Sequence, residues 1–457
     1  IALYNKCRWE ESVEHIDRAF NYCGITANPS KLIILLKFLL NVTSIFIGLD
    51  KIRKRNKPIP NEKEKEAIEL IYKKTGAFVY FDNQLMFFTG LDGFNRAVKF
   101  NIAESKEALT FYIGLSGIMS FGGVSFKISD KILSISKTQI DEKDISNLIA
   151  YTCMKEILNF TAGYWKENSF LEGQLLKNSF DRGIMWESTT YIMYFFWLKI
   201  GTGEFSDCET CISMLFEIEN TYDYAAAALY GYFLSTLLAI AKGHFNTARM
   251  SAKKGISFCM KHDLNLHQLQ FWSWNAEAQI LSGQIENVEE CLSQAKSILE
   301  HQNLPAPGYA EVYLAARFLK DIYSLKAFSD SAARIDPILK KKAWKSGKSA
   351  LKVLKRYAPY RTKVYRLMGE YFWIIGNQKM ALKWWDKSIK IGESMDARPD
   401  LARTYFEVGR SLLQPNSKYK QLKGVAAREY LDKARSMFEE MDLQWNLDQL
   451  ERIQEAN

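Results

Sequence analysis

The stretch YFLSTLLAIAKGHFNTARMSAKKG, residues 232–255, decides how this chain is read. Tyr232, Thr236 and Ala239 are spaced by four and three, so on a helix they share one face. Gly243 follows, and a residue without a Cβ permits the sharp turn that ends a helix. Ala248, Ala252 and Gly255 then repeat the spacing on a second helix. Small side chains at these places let two helices approach closely, and the ring of Phe245 is placed to close over the turn. The segment predicts helix, turn, helix.

Outward from this unit, Gly243 belongs to a ladder. Gly123, Gly163, Gly203, Gly243 and Gly283 stand 40 residues apart. Trp165, Phe205 and Phe245 lie two residues after three of them, and Ile285 holds that place after Gly283. A fixed period of this size predicts an all-helical solenoid, in which each unit buries an apolar face only by stacking on its neighbours. The template recurs with Trp272, Ala276, Val288, Leu292 and Ala295 around Gly283, with Cys208, Ile212 and Leu215 after Gly203, and with Ile128, Ile132 and Ile135 after Gly123. Gly376 is out of register but sits in the fullest unit, between Tyr365, Met368, Gly369 and Phe372 and then Ala381, Trp385 and Ser388. A last unit begins with Tyr405, Gly409 and Leu412 and resumes, after an insertion from Gln414 to Gly424, with Ala427, Leu431 and Ala434.

The bulk numbers agree with a long helical array. Of 457 residues 47% are hydrophobic, enough to bury a core, and no proline falls between Pro60 and Pro305. The net charge of +9 bears on solubility and partners rather than fold. Seven irregularly spaced cysteines argue for a reduced, cytosolic protein rather than a disulfide framework. Leu32 to Leu49 is the one candidate membrane segment, with Lys51, Arg53, Lys54 and Arg55 after it. Lys37 and Asn41 interrupt it, and the expectation is a buried helix of the array followed by a solvated linker through Pro58 and Pro60. The start at Ile1, with Trp9-Glu10-Glu11-Ser12-Val13-Glu14 reading as the second helix of a hairpin, leads us to expect a fragment of a longer chain cut inside a repeat. Three stretches are expected: residues 1–305 as a run of hairpins, 306–361 as an irregular repeat with a basic helix, and 362–457 as the closing repeats.

The Gly376 unit resembles the tetratricopeptide repeat, whose first helix carries large, small and large residues and whose second, after a turn glycine, carries small, large and small ones. Trp9, Ser12, Ile16 and Ala19 match the second half. Gly163 departs from the pattern, with Glu156 and Asn168 where small residues belong, and the period exceeds the usual 34. The resemblance implies a right-handed superhelical solenoid of antiparallel helix pairs; a HEAT-type array is the alternative.

Three segments resemble a longer architecture. Trp9 through Leu49, then Gly163-Tyr164-Trp165 with Asp181-Arg182-Gly183 and Trp186-Glu187, and finally Ala397 to Tyr405 with Val408-Gly409-Arg410, are similar to the helical-repeat region of multidomain AAA- or STAND-type signalling ATPases. That class often carries a nucleotide cyclase or serine/threonine kinase module upstream. The resemblance implies a non-catalytic interaction and regulatory scaffold, with a regulatory part of such a cyclase or kinase polypeptide as the second reading.

The chemical motifs are weak. Ser346-Gly347-Lys348-Ser349 ends like a P-loop, but Lys342 stands where a glycine is needed and a helical run is expected. Cys208-Glu209-Thr210-Cys211 has the spacing of half a zinc site without a second pair nearby, so core packing is expected. His262 and His267 follow Cys259 at a spacing that does not align ligands on one helix face. No metal, cofactor or catalytic constellation is expected. From Lys340 to Lys363 ten Lys or Arg occur without an acid, with Lys341, Lys345, Lys348, Lys352 and Lys355 on one stripe. Nucleic acid is a third possible partner; the preferred reading is a solvated face opposite Ala343, Gly347, Ala350 and Leu354. In superhelices of the resembled kind, first-helix residues on the inner face grip peptides. Here these are Lys363, Arg366, Glu370, Arg403 and Arg410, four of the five cationic, which suits an acidic peptide or a carboxylate terminus.

Overall fold

Polar residues in front of apolar runs set where the helices begin. Asn61 and Glu64 form a reciprocal cap, Asn61 Oδ1 accepting from the Glu64 amide at 3.0 Å and Glu64 Oε2 from the Asn61 amide at 2.8 Å. Asp82, Ser105, Ser125, Asp144, Asp336 and Asn377 cap other helices in the simpler way, each contributing about 1 kcal/mol.

The computed structural model describes Leu3 and residues 6–22, 30–46, 57–167, 169–301, 306–331 and 336–455. Leu49, the basic residues at 51–55, Asn168 and Pro305, which enter the readings above, lie outside it. Among the described residues the chain is all-helical apart from one short ribbon. The helices are α1 (Trp9–Tyr22), α2 (Lys31–Phe46), α3 (Glu62–Phe78), α4 (Asn83–Ala97), α5 (Lys106–Phe121), α6 (Phe126–Lys137) and α7 (Ile145–Ala162). Next come α8 (Gly173–Asp181), α9 (Met185–Thr202), α10 (Phe205–Tyr222), α11 (Ala225–Ala241), α12 (Phe245–Lys261), α13 (Asn265–Leu281) and α14 (Val288–His301). The last are α15 (Pro307–Ser331), α16 (Pro337–Leu354), α17 (Arg361–Ile374), α18 (Gln378–Met395), α19 (Arg398–Leu413), α20 (Ala427–Glu440) and α21 (Gln444–Glu455).

From α3 onward each helix packs on the next, and every odd-numbered helix from α1 to α21 also touches the following odd-numbered one. The odd helices therefore form a continuous row, with even ones laid against it. Small residues set the approach as the sequence suggests: a Cβ on Gly255 would overlap the Phe271 ring, and one on Gly369 the indole of Trp385. One buried cluster runs from Cys7 to Leu450 and so draws on most of the chain.

All five ladder glycines have positive φ, from +60° at Gly123 to +89° at Gly163. The amide after each donates to the carbonyl five residues back: Val124 to Met119, Tyr164 to Asn159, Glu204 to Lys199, His244 to Ala239 and Gln284 to Gln279, at 2.8–2.9 Å. This closure of the last turn ends the first helix of each pair and satisfies a carbonyl that would otherwise lack a partner. Asn377, donating to Phe372, repeats it at Gly376.

A second ladder lies between the pairs. Gly183, Asp223 and Asp263 also have positive φ and also stand 40 residues apart. Asp396 and Asp442 take the same conformation at the later junctions. Short polar side chains tolerate this backbone better than other non-glycine residues do.

The first ladder docks on the later chain. A Cβ on Gly123 would lie 2.8 Å from the Arg356 carbonyl, and one on Gly163 3.0 Å from Ala358 Cβ. On Gly203 it would overlap Met441, and on Gly243 Trp445. The Ala358 amide donates to the Thr161 carbonyl at 3.0 Å, Tyr309 Oη donates to the Val79 carbonyl at 3.2 Å, and α9 packs directly on α19. Gly283, last of the ladder, has nothing within 4 Å of such a Cβ.

Two local features depart from expectation. In the insertion after α19, β1 (Gln421–Leu422) and β2 (Val425–Ala426) pair antiparallel around Lys423 and Gly424, both at positive φ, as a tight hairpin turn requires. Helix α2, expected to be buried, buries only Ile34, Phe38, Val42 and Ile45, while Leu32, Leu36, Leu39 and Leu40 are exposed. Among the described residues no helix is long and apolar enough to cross a membrane.

Candidate functional site

Residues spaced by three and four along the odd-numbered helices share one face of each. On α17 these are Lys363, Arg366 and Glu370; on α19, Asp400, Arg403, Glu407 and Arg410, again spaced by three and four. The five residues singled out from the sequence, Lys363, Arg366, Glu370, Arg403 and Arg410, all line a single cavity of about 830 Å³. Its walls come from α13, α15, α17, α19 and α21, with the ends of α11 and α12 completing it.

The cations there are partnered. Lys363 pairs with Glu277 of α13, Arg366 with Glu370 at 2.7 Å and Arg410 with Glu407. Arg403 is a brace: it donates to the Ala241 carbonyl at the end of α11 at 2.8 Å and to Asn446 Oδ1 of α21 at 3.4 Å. Sequence reasoning missed Glu277, Asp400, Glu407, Lys326 and Arg452. The signal for Asp400 and Glu407 was present, because they share the stripe of Arg403 and Arg410. Helix α21 went unread, although Leu443, Leu447 and Leu450 carry a helical spacing.

Six cations and four carboxylates line the cavity. Lys326 and Arg452 carry no ion pair among the described residues. The Nε donors of Arg366 and Arg410 are buried without a hydrogen-bond partner. Burial, and then the neighbouring Glu407 carboxylate, push the Glu370 carboxyl up to about 7, against the pull of Arg366, Arg410 and Lys326. Tyr323 faces the same cluster.

Glu370 therefore holds its proton more tightly in the fold than at its ordinary value of 4.5, so stability falls as pH rises through the window from 4.5 to about 7. Thermal melts from about pH 5 to about pH 8 are expected to show the wild-type midpoint dropping relative to that of Glu370→Gln, which carries no such proton. Parallel curves would show that Glu370 does not titrate in this window.

A smaller chamber of about 130 Å³ adjoins the first and shares Ile240, Glu277, Lys363, Asp400 and Arg403 with it. Phe160, Trp165, Trp197, Trp274 and Tyr360 supply its rings. Trp274 Nε1 donates to Tyr360 Oη at 3.3 Å, and Lys363 Nζ lies 5.3 Å from the Tyr360 ring centre.

The remaining motifs fall elsewhere. Ser346 to Ser349 sit inside α16, where Gly347 packs on Phe318 and Met368. Cys208 and Cys211 are buried on α10, and burial pushes both thiols up, Cys211 to about 12. His267 is buried in a separate apolar cavity of about 100 Å³, and burial pushes it down to about 3. The five lysines of the basic stripe are exposed, opposite buried Ala343, Gly347, Ala350 and Leu354.

No family model and no curated protein matches the chain.

Proposed function

We propose that this chain is the non-catalytic, protein-binding repeat region of a larger cytosolic signal-transduction ATPase. In this reading it is a tetratricopeptide-like, right-handed solenoid of antiparallel helix pairs with a period near 40 residues, and it controls an attached cyclase, kinase or ATPase module. The observation that carries the reading is the convergence of Lys363, Arg366, Glu370, Arg403 and Arg410, chosen by repeat position, on one cavity lined by the inner row. The row of odd helices supports the architecture. The partner offers an acidic segment or a carboxylate terminus to the excess cations.

Short acidic peptides are expected to bind the intact chain, more weakly as salt rises, while charge-matched basic peptides do not. Fluorescence anisotropy reads this directly. Lys326→Glu combined with Arg452→Glu, two positions without ion pairs, should weaken acidic-peptide binding about tenfold or more. Reversing Lys341 and Lys345 on the outer stripe should leave it unchanged. Equal binding of acidic and basic peptides would overturn the assignment.

A further inference from the structure

The cavity between α13 and α21 differs from an open peptide groove in three respects. It is braced shut on one side: Arg403 ties α19 to α11, and the Trp445 ring of α21 meets Phe245 edge-on at 5.2 Å. An extended chain needs a groove it can enter and leave, whereas a cup with a braced rim suits a compact occupant. With all four carboxylates ionised its charge is unbalanced by two positive charges, and the side chains of Arg366 and Arg410 line it. Finally, it adjoins the ring-lined chamber, and the wall they share includes Lys363 and Arg403.

We propose that the cup binds a compact organic dianion, a phosphate ester or a dicarboxylate, whose charged end lies between Arg366, Arg410 and Lys326 and whose flat ring enters the chamber beside Trp197, Trp274 and Tyr360. Two negative charges match the excess of cations. Guanidinium groups donate to phosphate or carboxylate oxygens in a planar fork, and these bonds are strong where water is excluded. The ring end replaces water against aromatic faces, which favour offset or edge contacts with another ring. The inference rests on the reading that this cavity is the binding site, and departs from it on the occupant, which is a small molecule rather than a protein segment.

The probe is 1-naphthyl phosphate, with inorganic phosphate and 1-naphthol as its two halves, titrated calorimetrically into the intact chain. Naphthyl phosphate is expected to bind at least about tenfold tighter than either half, and to raise the melting temperature. Lys326→Ala with Arg452→Ala should weaken naphthyl phosphate and phosphate about tenfold and leave naphthol unchanged. Arg410→Lys, which keeps the charge but loses the fork, should weaken naphthyl phosphate and phosphate alike and leave naphthol unchanged. Naphthyl phosphate binding no tighter than phosphate, or indifferent to all three substitutions, would overturn the proposal. Competition separates it from the scaffold reading. If acidic peptides bind and naphthyl phosphate neither binds nor displaces them, the dianion site is refuted and the peptide site stands. If naphthyl phosphate binds as expected and no peptide does, the peptide grip is refuted and the dianion site stands.

Discussion

Gly243→Ala is expected to cost the fold about 2–4 kcal/mol, while Gly283→Ala costs about 1 kcal/mol. The two glycines occupy equivalent turns, with φ of +79° and +77°. An alanine at either therefore carries the same strain of a left-handed backbone. They differ in surroundings. A methyl group at 283 meets nothing within 4 Å, whereas at 243 it overlaps Trp445 close to that residue's own backbone. The indole cannot swing away without lifting α21 off the Gly243 turn. Gly203 is the intermediate case, because its neighbour is the flexible thioether of Met441, which can give way. Chemical denaturation of the three variants, with unchanged slopes, measures the difference. Equal costs at 243 and 283 would mean that the docking of α21 contributes nothing to stability.

Trp385→Ala is expected to cost about 3–5 kcal/mol, among the largest effects of any single substitution in this chain. Trp385 is fully buried on α18 and fills the hollow left by Gly369 on α17. Its Nε1 donates to the Arg366 carbonyl at 3.2 Å, so the same side chain that packs the pair also fixes the backbone from which Arg366 reaches the cup. Trp385→Phe keeps most of the packing but drops that hydrogen bond, and is expected to cost about 1–3 kcal/mol. Both variants should loosen anion binding at the cup in proportion to the freedom they give Arg366. A Trp385→Ala protein that melts like the wild type would show that the α17–α18 contact is not a source of stability.

Much of this architecture was legible in the sequence. The ladder of turn glycines, the small residues of Gly255 and Gly369, and the packing side of the basic helix all emerge from spacing, because a helix repeats its faces locally. The second ladder went unread because two of its three members are aspartate, which takes the left-handed backbone at a cost that glycine does not pay. The cations lining the cavity were found by repeat position, but their carboxylate partners were not. Glu277 lies 86 residues from Lys363, a separation no local pattern encodes. The docking of the ladder on later turns was invisible for the same reason. The two-residue ribbon after α19 lies within a stretch identified only as an insertion.

That docking has a consequence for how the protein is made. Arrays whose units touch only their neighbours can begin folding anywhere and propagate along the chain. Here Gly123, Gly163 and Gly243 meet partners roughly 200 residues further on, and contacts of such sequence separation slow folding. A nascent chain emerging from the ribosome can complete α5 to α13 by neighbour contacts alone, yet the turns at Gly123, Gly163 and Gly243 lack these partners until the stretch from Arg356 to Trp445 has been synthesised. For that interval the turns expose surfaces shaped to receive a later stretch of the same polypeptide.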